Sequence, residues 1–216
     1  MGILFEDGNF STFYHGFLQT IALSALSALF ALLLGGALAA FRVSPVPVLR
    51  VFGTTWVTIF RNTPLTLLML TAVFALPRLD IHFSTFTFAV IALSVYTSAF
   101  VCEVLRAGIN TVPLGQAEAA RSLGMGFGQT LGLVVLPQAG RTVLPPLSSV
   151  FIALPRNSAV AGAFSNAELF SVQKVFDEKG YPIFMTFFWI ALAYLAISFT
   201  ISGAFRVLEK QLAVAR

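Results

Sequence analysis

The stretch TIALSALSALFALLLGGALAAF, residues 20–41, decides the fold. It lies inside a run without charge that extends from Asp7 to Arg42. As a helix it is long enough to cross about 30 Å of hydrocarbon. It predicts a first membrane span over about residues 17–41, with Gly35 and Gly36 offering a close-packing face to a neighbouring helix. The whole chain agrees with this stretch. It has 216 residues, 57% of them hydrophobic and 10% charged, with 23 Phe. Mean hydropathy is +0.88. Thirteen basic and nine acidic residues are too few to cover the surface of a soluble globule of this length. The basic residues are dispersed, so they form no nucleic-acid patch despite a net charge of +4. A single Cys, Cys102, cannot form an intrachain disulfide and reads as a small buried hydrophobe. The acidic start MGILFEDGNF lacks the basic region of a signal peptide.

Charge spacing places the remaining spans. Arg42-Val43-Ser44-Pro45-Val46-Pro47 ends the first, with Arg42 and Arg50 bracketing the turn. Apolar character returns over 51–76 but is interrupted by Arg61-Asn62-Thr63-Pro64. Either a broken helix crosses there, or 51–60 lies partly along the interface. After Pro77-Arg78-Leu79-Asp80, a third span covers about 84–105 and ends with the i,i+3 pair Glu103 and Arg106. A fourth runs over about 133–154, interrupted by Arg141, Pro145 and Pro146. Residues 166–181, with Glu168, Lys174, Asp177, Glu178 and Lys179, read as water-exposed, and a fifth span covers about 183–205. Five spans follow, with four to six compatible with the pattern. One side then holds Arg42, Arg50, Arg106, Arg121, Arg206, Lys210 and Arg216, and the other Arg78, Lys174 and Lys179. The bias puts the C-terminus in the cytoplasm and the N-terminus outside. No internal repeat is visible. The expectation is a single all-α transmembrane domain over 1–216.

Between the third and fourth spans, residues 107–132 do not read as a span. The sequence INTVPLGQAEAARSLGMGFGQTLGL, 109–133, is rich in Gly and small residues and predicts two short helices. Ala117, Ala119 and Ala120 permit close packing, and Gly124 and Gly126 permit a sharp turn between the helices. The pattern describes a rigid cytoplasmic protrusion, or an ordinary loop that happens to be small.

Glu118-Ala119-Ala120, three residues, Gly124, nine residues, Val134 and then Leu136-Pro137 resembles the signature of the membrane subunits of bacterial ABC importers. Arg61-Asn62-Thr63-Pro64-Leu65, Glu103–Ile109, Val112-Pro113, Gly115-Gln116, Leu136–Ala139 and Leu144–Leu147 are similar to motifs of the polar amino acid permeases, and together they cover about 12–210. The combination of FRVSPVPVLR (41–50), FRNTPLTLLML (60–70) and RAGINTVPLGQAEAARSLGMGFGQT (106–130) resembles the glutamate-uptake permeases of actinobacteria. One departure is Pro155-Arg156-Asn157-Ser158, where many relatives carry Lys, then Asp or Asn, then Thr. Arg156 keeps the positive charge.

The resemblance implies a type I importer bundle that imports a polar amino acid, glutamate first, with glutamine or a basic amino acid as alternatives. It implies a second homologous permease subunit, a cytoplasmic ATPase dimer and an extracellular solute-binding protein. ATP and Mg belong to the ATPase, because the chain has no phosphate-binding GxxxxGK[ST] stretch and needs no cofactor of its own. It gives Glu118, Ala119, Ala120 and Gly124 the role of coupling to the ATPase, Glu118 by orienting the loop through hydrogen bonds. For an anionic substrate the path needs positive groups and donors. Arg156 with Asn157 and Ser158, then Arg61, then Arg141 are the candidates. The competing readings are a snorkelling Arg156 paired with lipid phosphate or Glu168, an Arg61 that bonds carbonyls freed by Pro64, and an Arg141 that marks the membrane boundary. His15 and His82 have no metal ligand spaced near them, so no metal site is expected. A channel or secondary transporter would need a mid-span acid, and none is present. A membrane scaffold would not need the 107–132 loop, and a membrane enzyme would need a clustered nucleophile, base or metal set.

Overall fold

The computed structural model of the chain describes residues 2–6 and 8–212. Asp7, at one edge of the charge-free run, and Arg216, in the orientation count, lie outside the described residues. A 3-10 turn over Gly2–Phe5 leads into α1, Asn9–Val43. Helix α1 stops where Pro45 and Pro47 follow, and Pro47 occupies the first turn of α2, Pro47–Asn62. Helix α3, Leu65–Leu70, continues as a π turn over Thr71–Ala75 and a 3-10 turn over Leu76–Leu79. The α2 and α3 stretches meet at a bend of 99°. Thr63 and Pro64 there have extended backbone, as expected for a residue preceding proline and for a helix start. Helix α4, Thr85–Asn110, is capped by the Ser84 hydroxyl, which accepts from the Thr87 N–H at 3.1 Å.

The loop between the third and fourth expected spans forms two short helices, α5 at Leu114–Ser122 and α6 at Phe127–Gln129, followed by a π turn over Thr130–Val135. Helix α7, Leu136–Gly162, then runs through Pro145, Pro146 and Pro155 and ends eight residues later than the expected 154. A 3-10 turn at Leu169–Ser171, α8 at Val172–Glu178 and α9 at Ile183–Leu212 complete the chain. Helices α1, α4 and α9 are long and apolar enough to cross a membrane, and the bent α2–α3 pair supplies a fourth crossing if it counts as one.

The bundle is organised by α1 against α4, the most extensive helix pair, with α4 also on α7 and α7 on α9. Small residues make the first seam. A Cβ at Gly35 would lie 2.7 Å from Val101 Cβ and 2.8 Å from the Ser98 carbonyl, so only Gly lets these backbones meet. Gly36 faces open space and has no such role. Leu23, Met69, Phe88, Leu93 and Leu154 fill the largest buried cluster, which joins α1, α3, α4 and α7.

The expectation of a water-exposed 166–181 segment needs correction. Leu169, Val172 and Phe176 are buried, and so is Glu168. The segment folds back on α1, where Gly16 leaves room for Val172 Cγ2 at 2.7 Å from an ideal Cβ position. The outer face of α8, with Lys174, Asp177 and Glu178, remains exposed, as do Lys179 and Gly180 after it.

Candidate functional site

Helix α5 ends in a Schellman motif. Gly124 has φ +82°, its N–H donates to the Arg121 carbonyl at 2.9 Å, and the Met125 N–H donates to the Ala120 carbonyl at 3.2 Å. The next helix starts with Gln129 Oε1 accepting from the Gly126 N–H at 3.0 Å. These local bonds fix the angle between α5 and α6, and α5 packs mainly on the Thr130–Val135 turn. Between this pair and the ends of α1 and α4 lies a cavity of about 630 Å3, lined by Val43, Ile109, Pro113, Ala117, Arg121 and Leu131 among others. The two helices thus form a discrete protrusion. Ala120 is buried in its hinge, whereas Glu118, Ala119 and Gly124 are exposed. The Glu118 carbonyl accepts from the Ser122 hydroxyl at 3.0 Å, while its carboxylate has no hydrogen bond among the described residues. Sequence reasoning passed over the apolar tips of this protrusion. Leu114 is 80% exposed, Leu123 84% and Phe127 62%. Their signal was available: large apolar side chains flank the turn glycines in a segment that does not cross the membrane.

Glu103 does more than pair with Arg106. Its carboxylate also meets Arg42 from α1, Arg106 lies at 3.0 Å and Arg61 of α2 at 3.9 Å. Arg61 additionally stacks over the Phe100 ring, 5.5 Å from its centroid. One carboxylate thus gathers three guanidinium groups from α1, α2 and α4, and Arg61 turns towards it instead of towards the carbonyls near Pro64. Arg50 instead donates to the Ser44 and Pro45 carbonyls at 3.1 and 3.2 Å, closing the turn after α1.

Arg156, Asn157 and Ser158 are consecutive in α7, so their side chains point about 100° apart. Arg156 is exposed, Asn157 half-buried and Ser158 buried, with its hydroxyl donating to the Pro155 carbonyl at 2.7 Å. The three therefore do not converge within this chain. Arg156 forms no ion pair with Glu168. Arg141 is exposed at the start of α7.

Residues 31–214 match the family of binding-protein-dependent transport system inner membrane components. The chain belongs to this family. It is similar to the probable glutamine ABC transporter permease protein GlnM of Bacillus subtilis, 35% identical over 212 residues, which are 98% of this chain and 97% of that protein. It is 37% identical to the glutamate transport system permease protein GluC of Corynebacterium glutamicum over 92% of each chain. Among solved structures, an amino acid ABC transporter crystallised with histidines superposes with a TM-score of 0.89 at 29% identity, over 98% of this chain and 99% of that one. The MetNI methionine ABC transporter in an inward-facing conformation superposes with a TM-score of 0.82 at 19% identity, over 97% of this chain and 100% of that one, and shares the fold.

As an inner membrane component of an ABC importer, this multi-pass chain is a transport subunit and not a catalytic one. Membership implies work beside an ATPase and a solute-binding protein. In such a permease a buried acid is unexpected, yet Glu168 is fully buried between α7 and α9. Its Oε2 accepts from the Tyr194 hydroxyl at 2.6 Å and from the Thr20 hydroxyl at 3.2 Å, and its Oε1 from the Ser171 N–H at 3.2 Å. Burial pushes the Glu168 carboxyl above the ordinary carboxylate range, while these donors pull the other way.

Proposed function

We propose that the chain, as one domain over residues 1–216, is the permease subunit through which a polar amino acid, glutamate first and glutamine second, enters the cell by alternating access. The observation that carries this reading is the α5–α6 protrusion. A glycine-locked pair of short helices that stands off from the bundle and presents Leu114, Leu123 and Phe127 to water is suited to seat in a partner's groove. In this reading the groove belongs to a cytoplasmic ATPase dimer that holds ATP and Mg. The exposed Ala119 lets the partner approach, Ala120 is buried within the protrusion and packs it together, and Gly124 keeps it rigid so that movement passes to α4 and α7. Helix α7 serves as the fifth crossing, with the N-terminus outside and the C-terminus in the cytoplasm. Five crossings supply half of a path, so a second, homologous permease subunit completes it beside the lipid, and a solute-binding protein delivers substrate from outside.

Arg156 is exposed and Asn157 half-buried on α7, and in this reading Arg156 meets the substrate path beside such a second subunit. The Arg156 guanidinium is suited to pair with a carboxylate crossing a low-dielectric path. The similarity to permeases named for glutamate and glutamine supports the same substrate class. Uptake of radiolabelled glutamate, aspartate, glutamine and arginine, compared in cells with and without this chain, tests the reading. Loss of glutamate or glutamine uptake is expected. Loss of arginine uptake alone would transfer the assignment to a basic amino acid. The Arg156→Gln variant should lose glutamate uptake more than glutamine uptake, and equal losses argue against a charge-specific role.

A further inference from the structure

Glu168 has no part in the coupling or substrate-path roles above, yet it is the only acidic or basic side chain among the described residues that is fully buried. No ion pair neutralises it among those residues. An isolated carboxylate is an unfavourable choice for simple packing, since an apolar side chain of similar size avoids the desolvation cost. What it does offer is direction. Thr20 reaches it from α1, Tyr194 from α9, and the Ser171 N–H from the 3-10 turn that follows α7. The Thr20 oxygen in turn accepts from the Leu169 N–H at 2.9 Å. The fourth wall is α7 itself. A Cβ at Gly162 would collide with Glu168 Oε1. Ser158, one helical turn earlier on the same face, sets its hydroxyl against that of Tyr194.

We propose that Glu168 is a positioning residue for substrate passage. Its carboxylate sets the rotation of the Ser158–Gly162 turn of α7 against α1 and α9, and thereby the direction in which Arg156 and Asn157 project. The inference rests on the reading of Arg156 and Asn157 as substrate-path residues. Its leverage follows from geometry. An Arg head group stands roughly 8 Å from its helix axis, so a rotation of about 10° moves it by about 1.4 Å. A misplacement of that size is enough to change a rate by on the order of tenfold or more.

The test uses the complete importer in proteoliposomes, with glutamate-loaded binding protein, and reads glutamate imported per ATP hydrolysed. Glu168→Gln removes the charge, and Gly162→Ala pushes the carboxylate off α7 while leaving every donor in place. Each should lower the ratio by about tenfold, and Tyr194→Phe, which removes one donor and leaves the others, by about threefold. Tyr194→Phe keeps the ring and serves as the decisive variant if the other two fail to assemble. A merely structural role lowers import and hydrolysis together and leaves the ratio unchanged, which overturns the inference. Arg156→Gln separates the two levels. If it lowers the ratio while the Glu168 and Tyr194 variants do not, only the positioning role falls. If it leaves the ratio unchanged, the substrate-path reading falls and the positioning role with it.

Discussion

Replacing Glu103 with Gln removes the one carboxylate that gathers α1, α2 and α4, and its three contacts are unequal. Arg61 stands 3.9 Å away with a side chain 44% exposed, so solvent screens it and it contributes nothing measurable. Arg106 is an i,i+3 neighbour at 3.0 Å on the same helix, which adds about 0.3 kcal/mol. Arg42 is different. Its side chain is only 13% exposed, it comes from another helix, and it makes a charge-assisted hydrogen bond of the kind that contributes about 1.5–3 kcal/mol. Gln keeps one acceptor oxygen but loses the charge, and it leaves Arg42 half-buried without a counter-ion. The expected loss is about 2 kcal/mol. For a chain of this size that lowers the unfolding midpoint by about 4–8 °C. The assay is thermal unfolding of the purified complex in lipid nanodiscs, with double-mutant cycles to Arg42→Met and Arg61→Met. A coupling of at least about 1 kcal/mol is expected with Arg42 and none with Arg61. A midpoint within about 1 °C of wild type, or a stronger coupling to Arg61, refutes the ranking.

Gly35→Ala places a methyl against the Ser98 carbonyl, a backbone atom that cannot move aside, and should cost about 1–3 kcal/mol by thermal unfolding, whereas Gly36→Ala should be neutral. Equal effects at both positions would sink the close-packed seam. Gly124→Leu forces a side chain into a left-handed conformation at φ +82° without any clash, a backbone cost of about 1–2 kcal/mol. Transport-coupled ATP hydrolysis should fall sharply while the binding protein still loads substrate, and unchanged transport refutes the rigid-protrusion reading. Glu168 also predicts a pH slope. Unfolded, it titrates near the ordinary 4.5, and folded its value is raised. Between the two values the unfolded chain binds fewer protons, so the stability that is fully present below about 4.5 is lost as pH rises, by up to about 1.4 kcal/mol per unit. Melting curves of wild type and Glu168→Gln from acid to neutral pH should diverge accordingly, and parallel curves contradict the assignment.

The features legible in the sequence are those that depend on near neighbours. Pro45 and Pro47 end α1, Thr63-Pro64 breaks the second apolar stretch, and Gly124 turns the 107–132 segment into two helices, all through backbone geometry fixed within a few residues. The extent of α7 was less legible. Pro145 and Pro146 read locally as interruptions, but a helix packed against α4 and α9 on its other faces can lose those N–H donors, and that of Pro155, and still continue to Gly162. The exposed tips Leu123 and Phe127 were less legible because apolar residues are the background of this chain, and only their position beside turn glycines outside the spans marks them.

Glu168 marks the limit of local reading. Charge pattern assigns it to water, together with Lys174, Asp177 and Glu178, and for those three the assignment holds. Whether a charge is solvated depends on partners that the pattern does not contain. Here they are Thr20, which lies 148 residues earlier, and Tyr194, 26 residues later, with room made by Gly162. The requirement also runs from the partners to the acid. A Leu at this position would satisfy the hydrophobic pattern of the fold and leave the Thr20 and Tyr194 hydroxyls facing an apolar side chain, whereas the Ser171 N–H would keep the backbone carbonyl of residue 168, at 3.0 Å. Stranded donors in a dry junction cost about 1–3 kcal/mol each. Helices α1 and α9 each aim a hydroxyl at one point and therefore demand an acceptor there, and a carboxylate is the side chain that can receive both and still accept from the Ser171 N–H.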